Sequence, residues 1–272
     1  MKIALILHGF FRTFDFCKNS LLENIINPLN CDVFINAPTT SYTAKKDEIP
    51  HLHSVFSRDD KTMYQSLECF GNNLVSCDLR KYNSNFYKQK VIDEKFPQLN
   101  TFGQENYRVL STMHSISLSV QTFKKHVELT GNHYDLVILT RPDVKYYTNF
   151  NPGVVDLTKL NCPAYFCIAP EHEQLVNLPF QEKIKAHIRK RPNGAGVYGM
   201  PGRWFNDQVM CGSQETILKY SSFFDKAPDY FREGITFTNE TCIAFHAIKN
   251  GIDFCGTDFI TYDLWRLTQS EY

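Results

Sequence analysis

Apolar and polar positions alternate in blocks along the first forty residues. Ile3-Ala4-Leu5-Ile6-Leu7 is a continuous apolar run, the pattern of a strand covered on both faces, and it predicts a strand over Lys2 to Leu7. Beyond a glycine-containing turn, Phe14, Leu21, Leu22, Ile25 and Ile26 fall near helical spacing, and Pro28 is expected to end that helix. Asp32-Val33-Phe34-Ile35 then reads as a second short strand. Strand, helix and strand in such close succession are the mark of a parallel crossover, so the chain opens like a nucleotide-binding sheet.

From Pro38 to Gln98 the chain is polar and patterned only in fragments, such as His53 to Phe56 and Leu74 to Leu79. Tyr107, Leu110, Met113, Ile116, Val120, Phe123 and Val127 recur every three or four residues, predicting a long amphipathic helix over Gln104 to Leu129 with Thr130-Gly131-Asn132 as its stop. The run Leu136-Val137-Ile138-Leu139 predicts a central strand over Tyr134 to Thr140. Further on, a strand is expected at Ala164 to Ile168, helices at Gln214 to Phe224 and Thr241 to Ile248, and short strands at Ile252 to Cys255 and Phe259 to Tyr262. A basic stretch runs from Lys183 to Arg191. There is no repeat or low-complexity linker, so 1–272 reads as one α/β domain with an embellished second half.

Composition adds exclusions. Apolar residues make up 43 % and aromatics 14 %, enough for a buried core, and 29 basic residues balance 29 acidic ones. With no bulk positive field, nucleic acid is not expected as a partner, and any anionic ligand must be held locally. The longest apolar runs fall far short of a membrane span, and the opening is too brief for a signal peptide, so a cytoplasmic protein is expected. Nine scattered cysteines without a Cys-x-x-Cys pair read as reduced thiols packed as small hydrophobes.

Ligands of an open parallel sheet bind beyond the carboxyl ends of its strands, which directs attention to three places. After the first strand, His8 and Gly9 bring backbone close to a ligand, and Arg12 offers a planar fork to a phosphate, or else is a solvated turn residue. Asn36 follows the second strand in the same way. Thr140-Arg141-Pro142-Asp143 follows the most apolar strand. There Arg141 and Asp143 either grip a ligand, with Asp143 offering a hard oxygen to Mg²⁺ or Mn²⁺, or form an ion pair that pins the loop. In the third place, Asn206-Asp207-Gln208, Asp207 is a candidate general base and Gln208 a candidate ligand contact, and both are equally able to hydrogen-bond loop backbone. Upstream, Asn193-Gly194-Ala195-Gly196 and Gly199-Met200-Pro201-Gly202 read either as a lid or as a surface turn.

Other signals are weak. Glu240 and His246 are six residues apart on one helix and share no face, so they are no metal pair, and Glu240 is placed to favour the helix dipole. Phosphate-loop, Gly-x-Gly-x-x-Gly, Gly-x-Ser-x-Gly and His-Glu-x-x-His motifs are all missing, against P-loop kinases, ordinary dinucleotide enzymes, serine hydrolases and zinc proteases.

The segment Tyr134 to Asp143, with Asp207-Gln208 and the opening Ile3 to Arg12 continued by Asn24 to Pro28 and Asp32 to Ile35, resembles glycosyltransferase-like proteins of large DNA viruses and bacterial surface-polysaccharide loci. The resemblance implies a GT-A like, Rossmann-like, mostly parallel sheet flanked by helices. Its nucleotide-sugar half would span about 1–147 and its acceptor-side half about 148–272. It implies a UDP- or GDP-linked sugar donor, a glycan or glycoconjugate acceptor, and a divalent cation on an Asp-x-Asp element. In that element Asp143 takes the second acidic position and Arg141 stands in the first, so a guanidinium replaces one carboxylate. Donor-binding roles fall on His8, Gly9, Arg12, Asn36, Arg141, Asp143 and Gln208, and catalytic roles on Arg141 and Asp207. Two other readings stand beside it: a phospho- or sulfotransferase, and a sugar- or protein-binding module without turnover.

Overall fold

The structure, a computed structural model, describes residues 1–39, 60–99, 105–163, 207–233 and 237–264. The strand expected at 164–168, the basic stretch at 183–191, the glycine-rich segments at 193–202 and Asn206 lie outside those residues.

Strand β1 (Ile3–His8) leads into α1 (Phe14–Leu21), a π turn (Leu22–Ile26) and a short α2 (Asn27–Leu29). The helical segment passes Pro28 by one residue instead of stopping at it. Pro28 has no N–H for the Asn24 carbonyl, and that carbonyl accepts from the Phe150 backbone N–H at 2.9 Å. Asn30, at φ 45°, ends the segment in the left-handed region. Strand β2 (Asp32–Thr39) runs beyond the expected Ile35, because from Ala37 onward it pairs with β3 (Leu74–Lys81) alone. Pro38 is tolerated there, past the last residue that β1 bonds.

Between β2 and β3 come α3 (Asp60–Leu67) and a 3-10 turn (Glu68–Asn73); α4 (Ser84–Asp93) and α5 (Asn106–Thr130) follow β3. Helix α5 matches its expected span and closes on Gly131 at φ 69°. Its buried face carries Ser111, Ser115, Ser117 and Ser119 between the large apolar residues, and these small side chains let it lie close to the sheet. Strand β4 (Leu136–Thr140) is followed by β5 (Val144–Tyr146), β6 (Leu160–Cys162) and β7 (Val209–Gly212). Next come α6 (Gln214–Leu218), with a 3-10 turn over Lys219–Ser222, then α7 (Ala227–Arg232), α8 (Asn239–Lys249), β8 (Phe254–Gly256) and β9 (Tyr262–Leu264).

The sheet order is β3-β2-β1-β4-β7-β6-β8, with β5 and β9 in a separate two-stranded sheet. Strands β3, β2, β1 and β4 are parallel, and β7 is antiparallel to both its neighbours. This is the α/β, mostly parallel, helix-flanked architecture expected from the sequence. The chain moves outward from β1 to β3 and then returns to β4 on the other side of β1. Right-handed crossovers taken in opposite directions put their helices on opposite faces. Accordingly Leu5, Leu7 and Ile138 pack with Phe14 and Leu21 of α1, whereas Ala4, Ile6 and Leu139 pack with Met113, Ile116 and Val120 of α5. Each fully buried Leu or Ile of this kind contributes roughly 1.5–3 kcal/mol. The reversal in strand order lies between β1 and β4, the place beyond whose carboxyl ends sheets of this kind bind ligands.

Candidate functional site

The register brings the first two predicted places together. Leu7 pairs with Thr140 and His8 with Asn36, so Arg141 follows β4 beside His8. Side chains alternate along a strand, so Asn36, His8 and Arg141 share the face of Phe34, Ile6 and Leu139, the face covered by α5. Strand β7 runs against β4 with Val209 opposite Thr140, and this delivers the third place to the same end of the sheet. The backbone N–H of Arg141 donates to the Gln208 carbonyl at 3.1 Å, and the Thr140 hydroxyl donates to the same carbonyl at 2.9 Å.

Arg141 and Asp143 form a two-pronged pair. Nε donates to Oδ1 at 2.8 Å and Nη2 to Oδ2 at 2.6 Å. The Asp143 side chain is 3 % exposed and that of Arg141 18 %, so the carboxylate is sealed while the arginine side chain keeps some access to solvent. Burial opposes the charge on Arg141, yet Asp143, with Asp207 and Glu240 behind it, more than offsets that and raises its pKa. Of the two readings open in the sequence, the structure realises the ion pair. Both oxygens of Asp143 are engaged by Arg141, and among the described residues no three His, Cys, Asp or Glu side chains converge on a common centre.

His8 is 1 % exposed, and neither ring nitrogen has a hydrogen-bond partner. Burial and then the neighbouring Arg141 push its pKa down to about 3, against a smaller opposing pull from Asp143, so the ring is neutral. A neutral imidazole offers one donor and one acceptor. Gly9 adopts φ +93°, a conformation that favours glycine, and its N–H donates to Ser115 Oγ at 2.9 Å. Apart from its chain neighbours, no heavy atom of the described residues lies within 4 Å of a Cβ placed at Gly9.

Asp207 is 7 % exposed and accepts from Asn239 Nδ2 at 3.3 Å. Asn239 and Glu240 open α8, whose N-cap Thr238 accepts from the Thr241 N–H. Glu240 is partly buried, and desolvation first, then the charge of Asp207, pushes its carboxyl up to about 7 against hydrogen bonds from its own backbone N–H and from Thr238 and a weaker pull from Arg141. Glu240 thus stands in the first turn of α8, within electrostatic reach of Asp207 and Arg141. Its signal in the sequence was the Thr238 cap, which sets Glu240 in a first helical turn. Which way that helix points depends on the chain from Ser213 onward, and no local pattern shows it.

Two of the candidate donor contacts have partners within the chain. The amide of Asn36 donates to Asp78 Oδ2 at 2.9 Å and to Thr122 Oγ1 at 3.3 Å and accepts from Arg80 Nε at 3.1 Å, so it is committed to an internal network. Arg12 lies over the Phe10 ring, 5.2 Å from its centroid. Arg80, not singled out in the sequence, reaches the Tyr87 hydroxyl at 3.5 Å, and Tyr87 in turn meets His114 Nδ1 at 3.0 Å. The eight cysteines among the described residues are free thiols.

No family model and no curated protein matches the chain, so the viral and bacterial resemblance read from three short segments finds no support there. Among solved structures, mouse xyloside xylosyltransferase 1 in its apo form aligns over 94 % of this chain and 84 % of its own, at 12 % identity and a TM-score of 0.38. A likeness that remote leaves the activity to be argued from the site itself.

Proposed function

We propose that the protein is a glycosyltransferase that moves a sugar from a nucleoside-diphosphate donor to a hydroxyl of a glycan or glycoconjugate. The observation that carries this reading is His8. A neutral imidazole, 1 % exposed and with neither nitrogen bonded, costs about 1–3 kcal/mol for each unsatisfied group unless a ligand completes it. It stands beside Arg141 at the sheet's reversal point, where ligands of such sheets bind.

In this reading the diphosphate lies across the ends of β1 and β4. Gly9 lets it approach the backbone, His8 hydrogen-bonds one of its oxygens, and the partly exposed Arg141 takes up the charge that develops as the nucleoside diphosphate leaves. Asp143 keeps the guanidinium in place from the sheltered side. A carboxylate accepts the proton of the acceptor hydroxyl, and Asp207 is the candidate that the sequence offers. The cation role falls to Arg141 in place of Mn²⁺ or Mg²⁺. The test is thermal unfolding with UDP or GDP, followed by release of nucleoside diphosphate from a panel of UDP- and GDP-sugars, each with and without Mn²⁺. One nucleotide is expected to raise Tm in wild type and not in Arg141→Ala, and turnover is expected without added metal.

A second reading draws on the Arg141 to Asp143 pair, whose completeness also suits a module that binds a nucleotide or sugar without turning it over. That reading expects nucleotide stabilisation with no sugar released from any donor.

A further inference from the structure

We infer that Ser115 and Ser119 of α5 are positioning residues for the donor site, holding the two peptide groups that flank His8; this rests on the glycosyltransfer reading.

Among the described residues the His8 ring has no hydrogen-bond partner, so its direction is set by packing and by the backbone that carries it. That backbone is held on both sides. The peptide after His8 is fixed through the Gly9 N–H, which donates to Ser115 Oγ at 2.9 Å. The peptide before it is fixed through the Leu7 carbonyl, 3.4 Å from Ser119 Oγ, whose single proton is shared with the Asn36 carbonyl at 3.2 Å. Asn36 is the residue paired with His8 across the β1–β2 ladder, so Ser119 also pins the register there. Ser115 and Ser119 stand four residues apart on α5 and therefore lie one above the other on one stripe of the helix. They are 4 % and 0 % exposed, so water does not compete for these bonds.

Ser115 carries the larger share, because its bond is the shorter one and is not divided. Glycine accepts φ values of either sign, so at Gly9, with φ +93°, the bond to Ser115 decides which way the chain leaves β1. Since Ser115 takes the Gly9 N–H, that amide is not spare for a phosphate, and the His8 ring is left to supply the hydrogen bond at this strand end. Hydrogen bonds weaken steeply with misalignment, and a displacement of about 1 Å at a site of this kind costs up to about 100-fold.

Ser117 separates positioning from general support of the fold. It lies on the same helix and is 1 % exposed, but it accepts from the Phe224 N–H at 2.7 Å and donates to the Tyr220 carbonyl at 3.4 Å, so it braces the chain after α6 instead of β1.

The experiment compares wild type, Ser115→Ala, Ser115→Thr, Ser119→Ala and Ser117→Ala by urea unfolding, by titration with UDP and GDP, and by the ring signals of His8 in carbon–proton NMR spectra, assigned by their loss in His8→Gln. All three alanine variants are expected to unfold at lower urea. Ser115→Ala is expected to bind the nucleotide that wild type binds about tenfold more weakly and to show shifted or broadened His8 signals, with Ser119→Ala changed in the same sense by less. Ser117→Ala is expected to keep wild-type affinity and wild-type His8 signals, and Ser115→Thr, which restores the hydroxyl, to return both toward wild type. Unchanged affinity and His8 signals in Ser115→Ala, or equal changes in Ser117→Ala, overturn the inference while leaving the donor site standing. Binding of neither nucleotide by wild type overturns the donor reading and the inference with it. Should Ser115→Ala not fold, Ser119→Ala against Ser117→Ala decides on the same two readouts.

Discussion

The hydroxyl of Tyr146 lies 2.7 Å from that of Thr140, and Thr140 in turn donates to the Gln208 carbonyl. This buried relay ties the end of β4 to β5 and to the segment before β7, directly beneath the Arg141 to Asp143 pair. Tyr146 is further anchored by its backbone N–H, which donates to Ser20 Oγ at 3.1 Å. Replacing Tyr146 with Phe removes one buried hydrogen bond, with an expected loss of about 1 kcal/mol. Chemical denaturation is expected to show that loss with m unchanged. An unaltered midpoint would mean that the relay contributes nothing to the loop.

The ion pair separates architecture from function. Asp143→Ala strands a largely buried guanidinium and is expected to cost about 3 kcal/mol. Arg141→Met combined with Asp143→Leu removes both charges and is expected to recover most of that stability. The double variant is nevertheless expected to lose stabilisation by UDP or GDP. If it keeps that stabilisation, the pair serves only to hold the loop.

Acid is expected to weaken the fold in a defined window. Burial is the leading cause that holds His8, His114 and His246 at pKa values of about 3, 4 and 4, against an ordinary 6.5. Below pH 6.5 the unfolded chain therefore binds more protons than the folded one, so stability that is complete above that pH declines as pH falls toward 4. The urea midpoint is expected to be lower at pH 5 than at pH 7, with a smaller difference in His8→Gln. Equal midpoints would contradict neutral burial of these rings.

Glu240 reverses that sign. Its carboxyl ionises near 4.5 in the unfolded chain and is pushed up to about 7 in the fold, so the folded state holds the extra proton between those values. The associated stability is present below 4.5 and is lost as pH rises through 7. Glu240→Gln is expected to be more stable than wild type at pH 8, by about 1 kcal/mol once partial exposure is allowed for, and no more stable at pH 4. Melting curves at the two pH values check this, and a destabilised variant at pH 8 would show that Glu240 is instead a structural carboxylate.

Periodicity carried the sheet into view. Strands β1 and β4 are apolar on both faces and α5 repeats every three or four residues, so their positions follow from local pattern. Strand ends at Arg141 and His8 followed from the same reading, because charge begins where burial stops. Partner choice was not local. The pairing of Asp143 with Arg141 depended on the turn at Pro142, and Asn36 was claimed by Arg80 and Asp78, forty residues and more away in sequence. The serines of α5 look polar in sequence, yet Ser119 is buried and hydrogen-bonds the carbonyls of Leu7 and Asn36 at 3.4 and 3.2 Å, a use that only the packed sheet supplies. Glu240 escaped for the same reason.

The most direct test of a nucleoside-diphosphate site between β1 and β4 is calorimetric titration of UDP and of GDP into wild type and Arg141→Ala. One nucleotide is expected to bind wild type saturably at one site per chain, and Arg141→Ala to bind it at least about tenfold more weakly, a loss of about 1.4 kcal/mol. Binding of neither nucleotide, or equal binding by both proteins, would contradict the account.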